Sequence, residues 1–154
     1  MAFFDSTSNP DLPTFFNVTT AVGKGAPNAQ DDVALVQYYL LKIYALPGWT
    51  RPHGNMTLDG VCGPITSNWI LKFQLDVRSN RRTNVLPDGR VDRMLHHPGR
   101  TVSSSISGTL YTICDLNRLF QMFYPDDWSV LRTANWVSLP VLQDMYAASM
   151  EQAA

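Results

Sequence analysis

The chain has 154 residues, of which 45% are hydrophobic and 16% are charged, and its formal net charge is -1. A chain of this length can build one hydrophobic core and is too short for two large domains. The balanced charge lacks the polyelectrolyte character that predicts nucleic-acid or membrane binding. The composition therefore predicts a soluble globular protein.

Residues 1–21 combine two phenylalanine pairs, Phe3-Phe4 and Phe15-Phe16, with Ser, Thr, Asn and Pro. This mixture predicts an extended arm without a regular element, docked through its aromatic side chains either on its own domain or on a partner. The start, Met1 to Asp5, lacks the basic and apolar regions of a secretory signal peptide. We therefore expect synthesis in the cytoplasm, with any later export to the periplasm or cell wall depending on a dedicated machine.

A first helix is predicted to begin at Asp31 or Asp32, either of which can cap it, and to reach about Tyr44. A loop rich in proline and glycine follows at residues 47–57. Trp49 lies in this loop, where no helical period requires burial. Two roles therefore stay open for Trp49: stacking on a ligand and packing on the core.

The run from residue 58 to residue 74 contains a tight turn and the start of an amphipathic helix. Asp59-Gly60 supplies the turn, because glycine adopts a positive φ without a Cβ clash. Gly63-Pro64 marks the helix start, and the helix is predicted to run to about Val77. The residues expected to face inward on one stripe of this helix are Ile65, Trp69 and Phe73.

These motifs resemble the peptidoglycan-binding-like domain family, a three-helix module that binds bacterial cell walls. Asp-Gly, Gly-Pro-x-Thr and Phe-Gln occur in the family's order, after a helix that carries Val36-Gln37. Asp88-Gly89 resembles the module's second turn, and the resemblance covers about residues 22–95. In this second copy no Gly-Pro-x-Thr follows, so we expect at most one helical turn over residues 93–99.

The resemblance implies a mostly α fold, a helical bundle of the peptidoglycan-binding-like type with additions at both ends. The predicted divisions are the arm at 1–21, the family domain at 22–99 and a C-terminal extension at 100–154. Three segments of the extension have helical patterns, at 110–124, 128–132 and 139–150. We expect these helices to pack on the same core.

By resemblance, a groove beside the turn and the two helices binds wall glycopeptide. The positions that match the family motif are Gln37, Asp59, Gly60, Gly63, Thr66 and Gln74. Each position also has a structural explanation: Asp-Gly forms a turn, threonine bonds the first helical turn, and a glutamine pins a neighbouring loop. Both the ligand role and the scaffold role stay open here.

An arginine-rich stretch follows the second helix and includes Arg78, Arg81 and Arg82. Guanidinium groups bind carboxylates in bidentate fashion, so these arginines are candidate ligands for stem-peptide carboxylates or for the acidic surface of a neighbouring subunit. A solvated loop is the third reading. Nucleic-acid binding is disfavoured because no aromatic residues are interleaved with the arginines.

No catalytic, metal or cofactor site is predicted. Glycosidases use two carboxylates across the scissile bond, and the chain's single glutamate, Glu151, lies three residues from its end. No paired-ligand spacing of the HxxxH or CxxC type connects the residues that can bind zinc. Those residues are His53, His96, His97, Cys62 and Cys114.

The sequence thus predicts a non-catalytic peptidoglycan-binding module, associated with or delivered by a bacterial secretion or injection machine. The alternative is a structural or adaptor subunit of a bacterial or phage-tail-like assembly that reuses this fold. The expected partners are accordingly peptidoglycan or other assembly subunits, without nucleic acid and without membrane insertion. The sequence does not predict an oligomeric state.

Overall fold

The computed structural model describes residues 2–95, 105–106 and 109–153 and is 46% helical. The helices are α1 (Gln30–Ile43), α2 (Pro64–Asn80), α3 (Thr112–Phe123), α4 (Pro125–Leu131) and α5 (Leu139–Ala153). The strands are β1 (Ala2–Ser6), β2 (Thr14–Asn17), β3 (Val22–Gly23), β4 (Arg90–Val91), β5 (Ser105–Ile106), β6 (Thr109–Leu110) and β7 (Trp136–Val137). The prediction of a mostly helical chain is confirmed in this coarse form, and the small sheets make the fold mixed α/β.

Helix α1 lies at the centre of the molecule and contacts α2, α3, α5, β1 and β3. Every residue from Asp32 to Ile43 is buried, so the helix is covered on all sides and not along one stripe. The predicted capping by Asp31 or Asp32 is wrong, because the N-cap is Ala29 and forms no side-chain bond. Asp31 instead accepts the backbone N–H of Leu139 at the start of α5.

The N-terminal segment forms an antiparallel hairpin, so the prediction of an arm without regular structure over residues 1–21 is wrong. Strand β1 pairs with β2 on one side and with β7 on the other. Phe16 is fully buried and makes edge contacts with Phe4 and with Trp128, at centroid distances of 5.6 and 5.8 Å. Aromatic residues favour strands, and here they join the hairpin to α4.

The buried side chain of Asn117 on α3 connects the hairpin to the helices. Its amide accepts the N–H of Phe16 (2.9 Å) and donates to the carbonyl oxygens of Phe16 (2.9 Å) and Ile113 (2.8 Å). The hydroxyl of Tyr39 on α1 also donates to it, at 2.7 Å. A buried amide with all its partners in place fixes the relative positions of β2, α1 and α3.

Candidate functional site

The side-chain amide of Gln37 holds the turn at Asp59-Gly60 against the start of α2. Its oxygen accepts the backbone N–H groups of Asp59 (3.2 Å) and Gly60 (2.9 Å). Its nitrogen donates to Asp59 Oδ1, the Val61 carbonyl and Thr66 Oγ1, each at 3.1 Å. Gln37 is 1% exposed, and its donors and acceptors are all used inside the protein. We call this arrangement the first clamp.

Gly60 is required in the first clamp for two reasons. Its φ is +73°, which L side chains rarely adopt. A Cβ atom at this position would lie 2.6 Å from Gln30 Cγ and 2.9 Å from the Gln30 carbonyl oxygen. The turn therefore needs glycine both for its conformation and for its contact with the beginning of α1.

A second clamp repeats the arrangement around Gln74. Its amide nitrogen donates to Asp88 Oδ1 (3.2 Å), the Arg90 carbonyl (2.8 Å) and Thr112 Oγ1 (3.1 Å). Its oxygen accepts the N–H of Gly89 at 2.8 Å, and Gly89 also has a φ of +73°. The aspartate carboxylate, the glycine N–H, the backbone carbonyl and the threonine hydroxyl that bond Gln37 thus each have a counterpart of the same type around Gln74.

The threonine of the second clamp comes from a distant part of the chain. Thr66 lies seven residues after Asp59, whereas Thr112 lies twenty-four residues after Asp88. No Gly-Pro-x-Thr follows the second Asp-Gly in sequence, and α3 instead brings Thr112 to Gln74. Of the stretch 93–99, residues 93–95 are not helical, and residues 96–99 lie outside the described part of the chain.

A cleft of about 270 Å³ opens beside the first clamp, and we call it the first-turn cleft. It is lined by Gln37, Asn55, Met56, Thr57, Asp59, Val61, Gly63, Pro64, Ile65 and Thr66. Ile65 is 42% exposed, so its predicted inward position is wrong, and Val61 is 64% exposed. The cleft therefore combines exposed polar side chains at Asn55, Thr57 and Asp59 with exposed aliphatic ones.

The carboxyl of Asp59 stays ionised at neutral pH. Desolvation raises its pKa, but hydrogen bonds from the Val61 N–H, the Gln37 amide and the Thr57 hydroxyl together hold the pKa below its usual value. The cleft consequently presents one fixed negative charge beside the clamp. Asp59 is the only carboxylate among the lining residues.

Gly63 is the N-cap of α2 and lies between two depressions. It lines the first-turn cleft, and with Pro64 it also lines a pocket of about 390 Å³ that contains Lys24 and Cys62. Its backbone is extended, so its φ does not require glycine. No Cβ contact within 4 Å would oppose a side chain here.

Trp49 packs on the core and lies outside the first-turn cleft. Its ring stacks on Phe73 at 6.4 Å with a 14° interplanar angle, and it meets Tyr44 edge-on at 5.5 Å. The side chain is half-buried. Of the two roles open for Trp49, these contacts favour packing.

The predicted arginines lie at the opposite end of α2 from the cleft. Fifteen residues separate Thr66 from Arg81, which corresponds to about 22 Å along a helix axis. Arg78 donates to the Val85 carbonyl at 2.8 Å and so holds the loop after α2. Arg81 is the C-cap of α2, and Arg82 has a φ of +54°. The structure does not bring these arginines together with the turn residues.

Within the described residues, no group of three or more His, Cys, Asp or Glu side chains is arranged to hold a metal ion. His96 and His97 lie outside that part of the chain. No described helix is both long enough and apolar enough to cross a bilayer.

The residues that sequence reasoning missed are Asn55 and Thr57, and above all Thr112. Asn55 and Thr57 lie just before the turn, in a loop whose lack of periodicity gave no reason to single them out. Thr112 was detectable in principle, since it opens a helix after the second Asp-Gly, but the intervening chain hides the spacing.

Comparison with known proteins gave no match: no protein-family model, no curated protein and no solved structure is similar to this chain.

Proposed function

We propose that this chain is a non-catalytic module that binds bacterial peptidoglycan, built on a peptidoglycan-binding-like helical fold with added N-terminal and C-terminal elements. The proposal includes delivery to the wall by a bacterial secretion or injection machine. The observation that carries it is the pair of clamps, in which glutamine, Asp-Gly turn and threonine occur twice in the same hydrogen-bonded roles.

The clamps act as scaffold, and the ligand surface is the cleft that the first clamp shapes. Gln37 and Thr66 are buried and bonded to each other, so they have little left to offer a ligand. Asn55, Thr57 and Asp59 line the cleft and are exposed. A rigid turn positions these groups before binding, which lowers the entropy that a ligand must lose.

The lining suits an N-acetylated sugar ring. Hydroxyl and amide groups of such a sugar match the polar side chains, and its acetyl methyl group matches Val61 and Ile65. A volume of about 270 Å³ lies just below the roughly 300–1,000 Å³ typical of ligand pockets, which favours a single ring. Glycoside cleavage is not part of the proposal, because Asp59 has no second carboxylate in the lining to act with it.

Co-sedimentation with purified sacculi at low salt tests the proposal. We expect the wild-type protein in the pellet, and we expect Asn55→Ala to weaken binding by about two- to tenfold, the value of one hydrogen bond. Asn80→Ala, at the exposed far end of α2, is the matched control and should bind like wild type. Wild-type protein that stays in the supernatant would overturn wall binding.

A structural or adaptor subunit is the second candidate, and exposed apolar side chains favour it. Met122 and Phe123 at the end of α3 are 53% and 43% exposed, and Val130 on α4 is 61% exposed. Deleting the hairpin is no test of assembly, because it would remove Phe15 and Phe16 from the core. The informative variant is Phe123→Ser with Val130→Ser, which should abolish co-purification of a partner under this reading and leave sacculus binding intact under the first.

A further inference from the structure

A second groove adjoins the first-turn cleft, and Met56 and Thr57 line both. Its volume is about 460 Å³, and we call it the Arg51 groove. It is lined by Leu41, Arg51, Met56, Thr57, Leu58, Gln143, Tyr146 and Ala147. Three parts of the chain therefore meet here: α1, the loop before α2, and α5.

The groove has a preformed apolar floor. Leu41 and Met56 are 6% and 5% exposed, so their positions are set by the core. The side-chain amide of Gln143 on α5 donates to the Leu58 carbonyl at 2.8 Å and joins the helix to the loop. Walls held in this way need little reorganisation to accept a ligand.

Among the described residues, none places a counter-charge within 4 Å of the Arg51 guanidinium. No described residue accepts a hydrogen bond from it or forms an ion pair with it, and the groove lining contains no carboxylate. The Arg51 guanidinium carbon lies 5.3 Å from the Trp69 ring centroid, and this contact restrains the side chain.

We propose that the Arg51 groove binds the free carboxylate end of a short peptide with small apolar side chains. A planar guanidinium without a partner is matched by a carboxylate, which it binds bidentately. The apolar floor accepts methyl-sized side chains, and Gln143 and Tyr146 supply polar groups for peptide amides. These polar groups favour a peptide over a fatty acid.

The source of this peptide is inferred from the neighbouring cleft, and that step rests on the proposed function. A wall glycopeptide carries its peptide stem directly on a sugar. With the sugar in the first-turn cleft, the stem would pass Met56 and Thr57 into the Arg51 groove. One ligand then occupies both depressions, and the stem carboxylate meets Arg51.

Titration of the full chain with N-acetyl-D-alanyl-D-alanine, followed by amide chemical shifts, tests this inference. We expect saturable shifts at Tyr146 and Ala147, and about tenfold weaker binding of the same peptide as its C-terminal amide. Arg51→Gln should lose the same factor. Arg132→Gln, an exposed arginine at the C-cap of α4, is the matched control and should bind like wild type.

The possible results separate the two proposals. Equal binding of the acid and the amide by wild-type protein, or no binding of either, overturns the groove assignment even if sacculi still pellet the protein. Binding that is selective for the acid and depends on Arg51 supports the groove assignment even if the protein does not pellet with sacculi. That second result would overturn only the proposed wall-binding function. Equal binding of the L,L peptide overturns the wall-stem source, since it indicates that the groove recognises protein C-termini as readily.

Discussion

The two clamps have the same local structure but are assembled from the chain in different ways. In the first, the turn leads directly into the helix that carries Thr66. In the second, the turn at Asp88-Gly89 is followed by intervening chain before α3 brings Thr112 to Gln74. The comparison teaches that the hydrogen-bonded geometry of the clamp does not depend on a short connection between its turn and its threonine. Its motif residues therefore mark the fold, whereas ligand specificity depends on the surroundings of each clamp.

Those surroundings differ at the glycine of each turn. Both glycines have a φ of +73°. A Cβ on Gly60 would collide with Gln30, whereas a Cβ on Gly89 would meet nothing within 4 Å. The first turn is thus packed against α1 from behind while its other side opens on the first-turn cleft.

The largest effect is expected from removing a clamp amide. Gln37→Ala would leave the Gly60 N–H and the Thr66 hydroxyl without their partner, and we expect a loss of about 3 kcal/mol or more in the free energy of unfolding. Gln74→Ala should cost a similar amount. Urea unfolding measures both.

Gln121→Ala is the control for the two clamp variants. Its half-buried amide is bonded to the Thr14 carbonyl at 2.9 Å, and its loss should cost about 1 kcal/mol. If either clamp variant unfolds at the same urea concentration as this control, that clamp does not hold the fold.

The next largest loss of stability is expected from replacing the turn glycines, and it compares the surroundings of the two clamps directly. Gly89→Ala should cost about 1–2 kcal/mol, the strain of an L residue in the left-handed region. Gly60→Ala adds the contact with Gln30 and should cost about 1–3 kcal/mol more. Thermal unfolding of the two variants side by side measures the difference. Equal midpoints would show that the Gln30 side chain moves aside without a loss of stability.

A buried carboxyl distinguishes α3 from α2. In α3, Asp115 lies three residues after the clamp threonine, Thr112. The equivalent position in α2, three residues after Thr66, is occupied by Trp69. Asp115 is 2% exposed, and burial raises its pKa from 3.8 to about 6, against the opposing charges of Arg118 and Arg81. Because the folded state binds the proton more tightly than the unfolded state, this group lowers stability as pH rises from about 4 to about 6.

Asp115→Asn should therefore stabilise the protein by about 1–3 kcal/mol at pH 7 and leave its stability unchanged below pH 4. Urea unfolding across this pH range measures the difference between variant and wild type. A pH-independent difference would contradict the assignment of the effect to the Asp115 proton.

Local sequence patterns predicted the positions of the helices better than they predicted which helical side chains are buried. The start of α2 follows from Gly63-Pro64, because proline suits the first helical turn. The burial of Ile65 was predicted from spacing alone and is wrong, since that spacing does not show which neighbours are present at the end of a helix. The hairpin was missed because its pairing joins β1 to residues eight to fourteen positions away.

Of the candidate site, only the residues that form the first clamp could be predicted from the sequence. Asp59 and Gln37 follow from the motif, but the polar groups of the cleft come from an aperiodic loop. Arg51 lines a groove only because α5, some ninety residues further along the chain, supplies the groove's other wall. Long-range packing of this kind leaves no signal in a single sequence.

The smallest effect tests whether the longer connection between turn and threonine weakens the second clamp. Thr66→Val and Thr112→Val each remove one acceptor of a glutamine N–H at nearly constant volume, and each should cost about 1 kcal/mol. Both hydroxyl oxygens lie 3.1 Å from their amide nitrogen, so equal costs are expected if the chain between Asp88 and Thr112 imposes no strain. Urea midpoints of the two variants provide the measurement. A clearly smaller loss of unfolding free energy for Thr112→Val would mean that the second clamp has the geometry of the first but contributes less to stability. In that case α3 would be held mainly by its packing on α1.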